Sequence, residues 1–171
     1  MFHSIRSMFL SNFPYRWQWT YDLFRVKETL SRMGLSAKEI QQFYRRMVFN
    51  VLAVNQDDHV KNISFLMDRN GKWCLSPAYD ITFAYNPENK WLRQHQMLIN
   101  NKMNNINYSD LLEAGKNMEI KEATCKKIIN DVKTVVDKFE TYAAKAGINK
   151  EKISAIKTCL KKSFLFNTED V

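Results

Sequence analysis

The sequence has little glycine, proline, cysteine or histidine: its 171 residues include 4 Gly, 3 Pro, 3 Cys and 3 His. So little glycine and proline excludes a collagen-like repeat and a Gly-Ser-Pro linker, and we expect one domain over residues 1–171. The cysteines Cys74, Cys125 and Cys159 are odd in number and widely spaced, without a C-x-x-C pair or paired histidines. Free thiols of this kind predict a reducing compartment, the cytoplasm.

Long apolar runs are absent as well. The most apolar stretch, residues 47–54, is interrupted by Asn50 and is much shorter than the ~20 residues that cross a bilayer. We therefore expect no membrane span. Residues 1–14 have no continuous apolar core and no small-residue cleavage site, so we also expect no signal peptide.

The remaining composition is that of a folded domain, with 45% hydrophobic, 13% aromatic and 26% charged residues. Lys and Arg number 26 against 18 Asp and Glu, which gives a net charge of +8. A positive charge attracts phosphate-bearing partners at long range. The basic residues are spread over both halves of the chain, however, so solvated lysines on helix faces explain them at least as well as a binding surface does.

Two helices are predicted in the first third of the chain. The run S-A-K-E at Ser36 is a capping box, and apolar residues follow it at helical spacing, which predicts a helix from Ser36 to Asn55. An earlier apolar repeat between Leu23 and Met33 predicts a helix that Gly34 ends.

Helical spacing returns in the last third. It predicts a short helix from Ser109, then one long helix that continues to Gly147, and a last helix capped by Asn149. Between the two helical regions, the short apolar runs 63–67 and 72–75 enclose the turn sequence D-R-N-G and predict a hairpin. Residues 87–107 are polar and predict a loop-dominated segment. The expected fold class is α+β, predominantly α-helical, with one small β-hairpin.

Polar side chains concentrate where the Ser36 helix gives way to the hairpin. Phosphoryl transfer needs a carboxylate to accept a proton from the attacking hydroxyl, and oxygen ligands to hold Mg²⁺ on the phosphates. Asp57 and, five residues later, Asn62 supply a carboxylate and one ligand. The hairpin should return Asp80 to the same place as a second ligand. An acidic turn that only caps the helix and starts the hairpin explains the pair equally well.

Several ordered blocks resemble HipA-type serine/threonine kinases, the toxins of bacterial toxin–antitoxin pairs. The first two blocks resemble the catalytic core of the family, and the later three resemble its C-terminal helical region. The blocks are F-N-V-L-A-V-N-Q-D-D-H-V-K-N-I-S-F-L, W-C-L-S-P-A-Y-D-I, Q-H-Q-M-L-I-N-N-K, D-L-L-E-A and A-T-C-K-K-I-I-N-D-V. The resemblance runs from Phe43 to Ile156, with a best-matching core of residues 35–160. It implies a protein-kinase-like C-terminal lobe in which the hairpin carries the catalytic loop and the metal-binding Asp.

The resemblance also implies the roles of five side chains. Asp57 is the catalytic base, and Asn62 and Asp80 bind Mg²⁺ and, through it, ATP. His59 and Lys61 complete the D-x-H-x-K-N string of the family. His59 either places the γ-phosphate or makes a structural hydrogen bond. Lys61 either contacts phosphate or forms a surface ion pair.

Two neighbouring residues receive no catalytic role. We expect Asp58 to be a solvated turn residue and Tyr79 to be a packing residue. The D-x-H-x-x-N spacing also occurs in lipid kinases of the phosphatidylinositol class, but the S-P-A-Y-D context and the downstream blocks favour HipA.

A kinase also needs a glycine-rich loop over the phosphates and a strand lysine paired with a helix glutamate. None of the 4 Gly belongs to such a loop, so we expect the N-terminal lobe to be missing and the chain by itself to be inactive. The resemblance implies a HipB-like antitoxin as partner, operator DNA only through it, and a protein substrate such as an aminoacyl-tRNA synthetase. The alternative is a non-catalytic module that binds an antitoxin–DNA complex.

Overall fold

The computed structural model of the chain describes residues 3–6 and 21–163. Within those residues it contains six α-helices and five short strands. In chain order these are β1 (His3–Arg6), β2 (Tyr21–Asp22), α1 (Leu23–Arg32), α2 (Ala37–Leu52), β3 (Ser64–Met67), β4 (Trp73–Leu75), β5 (Met97–Leu98), α3 (Tyr108–Asn117), α4 (Glu122–Val136), α5 (Phe139–Lys145) and α6 (Lys150–Ser163). The predicted mixture of helices with a small antiparallel sheet is confirmed, with about half of the described residues in helices.

Helix α2 begins with the predicted capping box. The Ser36 side chain accepts a hydrogen bond from the Glu39 main chain, and the Glu39 carboxylate accepts one from the Ser36 main chain. The helix ends at Leu52, earlier than the predicted Asn55. It stops because Val54 has a left-handed φ of 53°, which a β-branched side chain rarely adopts. Asn55 then forms a β-bridge with Ala84.

The core lies between α2 and the helices of the last third. Helix α2 contributes Tyr44, Val48 and Leu52, each less than 2% exposed. Leu111 of α3 and Ile129 of α4 pack against them and are equally buried. Burying a side chain of this size contributes about 1.5–3 kcal/mol, so this cluster holds α2 in place and fixes where its C-terminal end lies.

The hairpin is confirmed. Strands β3 and β4 pair antiparallel, with Phe65 opposite Leu75. In the turn, the Asp68 carboxylate accepts hydrogen bonds from the main-chain N–H groups of Asn70 and Lys72, and Gly71 takes a φ of 79°. Strand β1 adds a third strand by pairing antiparallel with β3, which the sequence does not predict. Strands β2 and β5 form a separate two-stranded parallel sheet.

The prediction of one long helix that ends at Gly147 is wrong, because the structure has two helices there, α4 and α5. At the junction, the Lys138 N–H bonds to the Val135 carbonyl, a tighter turn than an α-helix makes. The last helix begins as predicted, with the Asn149 side chain accepting from the Lys152 N–H. The segment 87–107 is loop-dominated apart from β5, as predicted.

No helix in the described ranges is long and apolar enough to cross a membrane. The prediction about a signal peptide concerns residues 1–14, most of which lie outside the described residues.

Candidate functional site

A cleft opens where α2 ends, between the loop that leaves the helix and the segment that follows the hairpin. It is lined by residues of α2, of the loop and of the segment after β4, together with one residue of β5. These are Phe43, Arg46, Met47, Asn50, Asn55, Asp58, His59, Asn62, Ile63, Ala78, Tyr79, Asp80, Ile81 and Met97. Three of the five predicted site residues, His59, Asn62 and Asp80, are among them.

Asn62 ends a single 3-10 turn, Val60–Asn62, that reaches into the cleft. Its side-chain Nδ2 donates to the main-chain carbonyl of Asp57 at 2.9 Å. This hydrogen bond closes the loop on itself and turns the Asn62 Oδ1 away from the Asp57 main chain. The Asp57 side chain is 42% exposed and does not line the cleft. It lies at the rim, beside the loop that Asn62 closes.

Asp80 approaches from the other side in an unusual conformation. Its φ is 54°, in the left-handed region that costs a non-glycine residue about 1–3 kcal/mol. The Asp80 carbonyl accepts a hydrogen bond from Nδ2 of the buried Asn55 at 3.3 Å, and the same Nδ2 lies 3.0 Å from the Asn50 Oδ1. Asn55, just beyond the end of α2 and bonded to Asn50 in its last turn, therefore holds the main chain at Asp80.

His59 has a buried ring nitrogen without a hydrogen-bond partner. Its Nε2 is 3.7 Å from Oδ1 of Asp57, within ion-pair range. Its Nδ1 is buried and has no hydrogen-bond partner. In the described ranges, the other buried side-chain atoms without a partner are Asn55 Oδ1 and Gln56 Oε1. All three atoms belong to residues 55–59, and unsatisfied buried polar atoms are rare unless a ligand or water meets them.

Lys61 lies outside the cleft on an exposed turn. Its carbonyl accepts a hydrogen bond from the Tyr79 hydroxyl at 2.7 Å. Among the described residues Lys61 forms no ion pair, so the surface ion pair weighed as its structural role is not observed.

Two expectations about neighbouring residues are wrong. Asp58 is not a solvated turn residue: it is only 4% exposed, and its carboxylate accepts from His95 and from two main-chain N–H groups. Tyr79 is not a packing residue: it is 39% exposed, and its hydroxyl ties the Asp80 segment to the carbonyl of Lys61. In both cases the deciding partner is distant in sequence.

Sequence reasoning also missed Arg46 and Asn55, which line the same cleft. Arg46 donates to the Ser76 carbonyl at the end of the hairpin, and burial lowers the pKa of its guanidinium below the usual value. Arg46 had no sequence signal beyond its place on α2. Asn55 had one, because it lies two residues before Asp57 at the predicted helix end.

The donor set of the cleft fits a magnesium ion bound together with phosphates. Mg²⁺ takes oxygen ligands and is usually held by one or two protein groups plus phosphate oxygens and water. Asp80 offers a carboxylate and Asn62 an amide oxygen at one cleft. A closed protein cage is not present in the described part of the chain, where no three His, Cys, Asp or Glu residues cluster as a metal site.

Comparison with known proteins identifies the family and the fold of the chain. The family model described as HipA-like C-terminal domain matches residues 4–139, while no curated protein matches by sequence. Among solved structures, a chain from the complex of HipA, HipB and operator DNA of the Shewanella oneidensis MR-1 toxin–antitoxin system has the same fold, with a TM-score of 0.58 and 17% sequence identity. The match covers 82% of this chain and 34% of the Shewanella chain. This chain belongs to the HipA-like C-terminal domain family.

Proposed function

We propose that this domain is the C-terminal catalytic lobe of an ATP-dependent serine/threonine protein kinase toxin, which transfers the γ-phosphate of ATP to a protein hydroxyl. One observation carries the proposal: Asn62 of the D-x-H-x-K-N loop and Asp80 beyond the hairpin line the same cleft. Phosphoryl transfer depends on positioning and on charge neutralisation, and the oxygen ligands of the metal are its main protein component.

The proposed roles follow from where each side chain lies. Asn62 and Asp80 hold Mg²⁺, which neutralises charge on the phosphates of ATP when it is bound. Asp57 accepts the proton of the substrate hydroxyl, and its 42% exposed side chain at the rim is accessible to a protein substrate. His59 directs its buried, unpartnered Nδ1 toward a phosphate oxygen. Lys61, exposed on the same turn, contacts phosphate from outside the cleft.

The unsatisfied atoms support a ligand at this place. A buried polar atom without a partner costs about 1–3 kcal/mol. Asn55 and His59 each contribute such an atom, and both residues line the cleft. A ligand or an ordered water in the cleft would satisfy these atoms.

A HipB-like antitoxin is the proposed partner, with operator DNA reached only through it. The matched Shewanella structure contains HipA, HipB and operator DNA. The proposed substrate is a Ser or Thr of another protein, such as an aminoacyl-tRNA synthetase. The proposed compartment is the cytoplasm, because Cys74, Cys125 and Cys159 are all free.

A non-catalytic module that binds an antitoxin is the second candidate, and an exposed apolar surface is compatible with it. Four exposed large hydrophobic residues lie between positions 79 and 91: Tyr79, Ile81, Tyr85 and Trp91. Exposed aromatic residues are enriched in protein interfaces. This surface suits an antitoxin or a protein substrate, so it agrees with both candidates.

Magnesium-dependent nucleotide binding separates the two candidates. The assay is calorimetry with a non-hydrolysable ATP analogue on the domain joined to a HipA-type N-terminal lobe. We expect Asp80→Asn and Asn62→Ala each to weaken binding at least 10-fold in Mg²⁺, since each removes a metal ligand. Asp137→Asn and Asn70→Ala are matched controls outside the cleft. No binding by the unchanged protein would leave the non-catalytic module as the function.

A further inference from the structure

Asp58, the residue after Asp57, is buried and its carboxylate accepts three hydrogen bonds. Its side chain is 2% exposed. Oδ2 lies 2.8 Å from the His95 Nδ1, and Oδ1 accepts from the main-chain N–H groups of Gln96 at 2.6 Å and Met97 at 3.3 Å. An ionised carboxylate only accepts, so the His95 Nδ1 carries the hydrogen of this bond.

The groups that hold Asp58 are themselves held. Met97 belongs to β5 and pairs with Tyr21 of β2. The main-chain N–H of His95 donates to the Met103 carbonyl at 2.8 Å, and the Gln96 side chain donates to the Trp91 carbonyl at 2.6 Å. His95 is only 5% exposed. Asp58 is therefore bound to a fixed segment of the lobe.

The two adjacent carboxylates consequently have different uses. The Asp58 side chain lines the cleft but is only 2% exposed, and both of its oxygens already accept hydrogen bonds, whereas the Asp57 side chain is 42% exposed. Adjacent residues share a peptide plane, so an anchored Asp58 restricts where the Asp57 carboxylate points. The Asn62 bond to the Asp57 carbonyl restrains the same peptide from the other direction.

We infer that Asp58 and His95 form a clamp that orients the catalytic loop, which makes both of them positioning residues for the proposed kinase reaction. The inference rests on the proposed function for its effect on catalysis, while the clamp itself depends only on the geometry of this chain. Hydrogen bonds to charged groups are among the strongest in proteins. The loop is held at the Asp58 side chain by His95 and at the Asp57 carbonyl by Asn62, so it has little freedom to move. A misplacement of about 1 Å costs a reaction on the order of 100-fold in rate.

A pair of substitutions at position 95 tests the clamp. His95→Leu fills the space without a donor, and His95→Asn keeps a donor nitrogen near the place of Nδ1. In this chain alone, amide hydrogen exchange should become about 10- to 100-fold faster over residues 56–62 in His95→Leu, with the core of α2 unchanged and His95→Asn close to the unsubstituted chain. In the domain joined to an N-terminal lobe, His95→Leu should lower kcat about 10- to 100-fold with the KM for ATP within about twofold, and His95→Asn should recover most of the rate.

Three outcomes would overturn the clamp: unchanged exchange over 56–62 in His95→Leu, equal losses of kcat in both variants, or a loss of kcat that merely follows a loss of thermal stability. If His95→Leu does not fold, Asp58→Asn replaces it, and faster exchange over 56–62 is again the expected result. The exchange measurement keeps the two proposals separate. A protein without phosphotransfer but with a loosened loop in His95→Leu refutes the kinase and keeps the clamp.

Discussion

Asn55 joins the end of α2 to the segment of Asp80 on the other side of the cleft. It is 2% exposed, and its Nδ2 is shared between the Asn50 side chain and the Asp80 carbonyl. We expect Asn55→Ala to lower the free energy of unfolding by about 1–2 kcal/mol, because two acceptors, the part-buried Asn50 Oδ1 and the Asp80 carbonyl, lose their donor. Asn55→Asp should cost more, about 3 kcal/mol, because a buried carboxylate then faces two acceptor oxygens.

Urea denaturation measures both Asn55 variants. Asn89→Asp is the matched control, since Asn89 lies in an exposed turn where its Oδ1 accepts from the Trp91 N–H and a carboxylate can do the same. An Asn55→Asp variant no less stable than Asn55→Ala would show that the shared donor does not hold Asp80.

Glu39 gives the domain a stability that depends on pH. Partial burial on its own raises the pKa of Glu39, but hydrogen bonds from Ser36 and Leu75 and the nearby Lys72 together bring that pKa below its ordinary value of 4.5. A lowered pKa in the folded state stabilises the protein above about pH 4.5 and stops doing so as the pH falls through the folded-state value. The carboxylate also caps α2 and accepts from the hairpin at the Leu75 N–H.

We expect Glu39→Ala to cost about 1 kcal/mol at pH 7, as the loss of a helix cap does. The difference from the unsubstituted protein should shrink as the pH falls from 5 to 3. Urea denaturation across that range measures it, with the exposed Gln42→Ala on the same helix as control. A difference that is independent of pH would mean that the charge of Glu39 contributes nothing.

The contact between α2, α3 and α4 depends on a glycine within a helix. A Cβ on Gly115 of α3 would collide with Sγ of Cys125 on α4 and lie 3.1 Å from the ring of Tyr44 on α2. Alanine favours a helix over glycine by about 1 kcal/mol. Overpacking a closed core costs about 1–3 kcal/mol, and here we expect it to prevail, so that Gly115→Ala lowers the melting temperature.

The double variant Gly115→Ala with Cys125→Ala separates packing from helix propensity. Removing the sulfur makes room for the new methyl group, so the double variant should be more stable than the sum of the two single changes predicts. Thermal denaturation of the four proteins completes the cycle. If the changes in stability are additive, the loss of stability in Gly115→Ala does not come from the contact with Cys125.

Sequence patterns predicted the elements whose signals are local. The capping box of Ser36 and Glu39 and the D-R-N-G turn each satisfy their own main chain within a few residues, and both are present. Asp80 was predicted at the cleft because a hairpin must return its second strand, and it lines that cleft. These arguments needed no knowledge of the rest of the fold.

The missed features depend on distant partners. Asp58 is buried because His95 and Gln96 surround its carboxylate, and nothing near Asp58 in the sequence indicates them. Strand β1, at residues 3–6, pairs with β3, at residues 64–67, far along the chain. No Gly or Pro marks the break between α4 and α5 in the sequence. The residues at the break, Asp137 and Lys138, are also acceptable inside a helix, so helical spacing predicts no end there.

The whole molecule uses each of its four glycines for structure. Gly34, Gly71 and Gly147 have φ values of 68°, 79° and 75° at the ends of helices or in the hairpin turn, and Gly115 is required by the contact of three helices. None is left for a loop that surrounds the phosphates of a nucleotide. Such a loop supplies several main-chain N–H groups to the phosphates, and the proposed kinase site would have to obtain them from another lobe.

The chain by itself should therefore bind Mg-ATP weakly. Two lost hydrogen bonds to charged phosphate oxygens are worth about 3 kcal/mol or more, so we expect affinity at least about 100-fold lower than that of the domain joined to a HipA-type N-terminal lobe. Calorimetry on both proteins measures the difference, and Asp80→Asn in the joined protein identifies the binding that depends on the metal site. Tight binding or kinase-level turnover by the chain alone would contradict this, because the cleft that Asn62 and Asp80 line would then suffice without a second lobe.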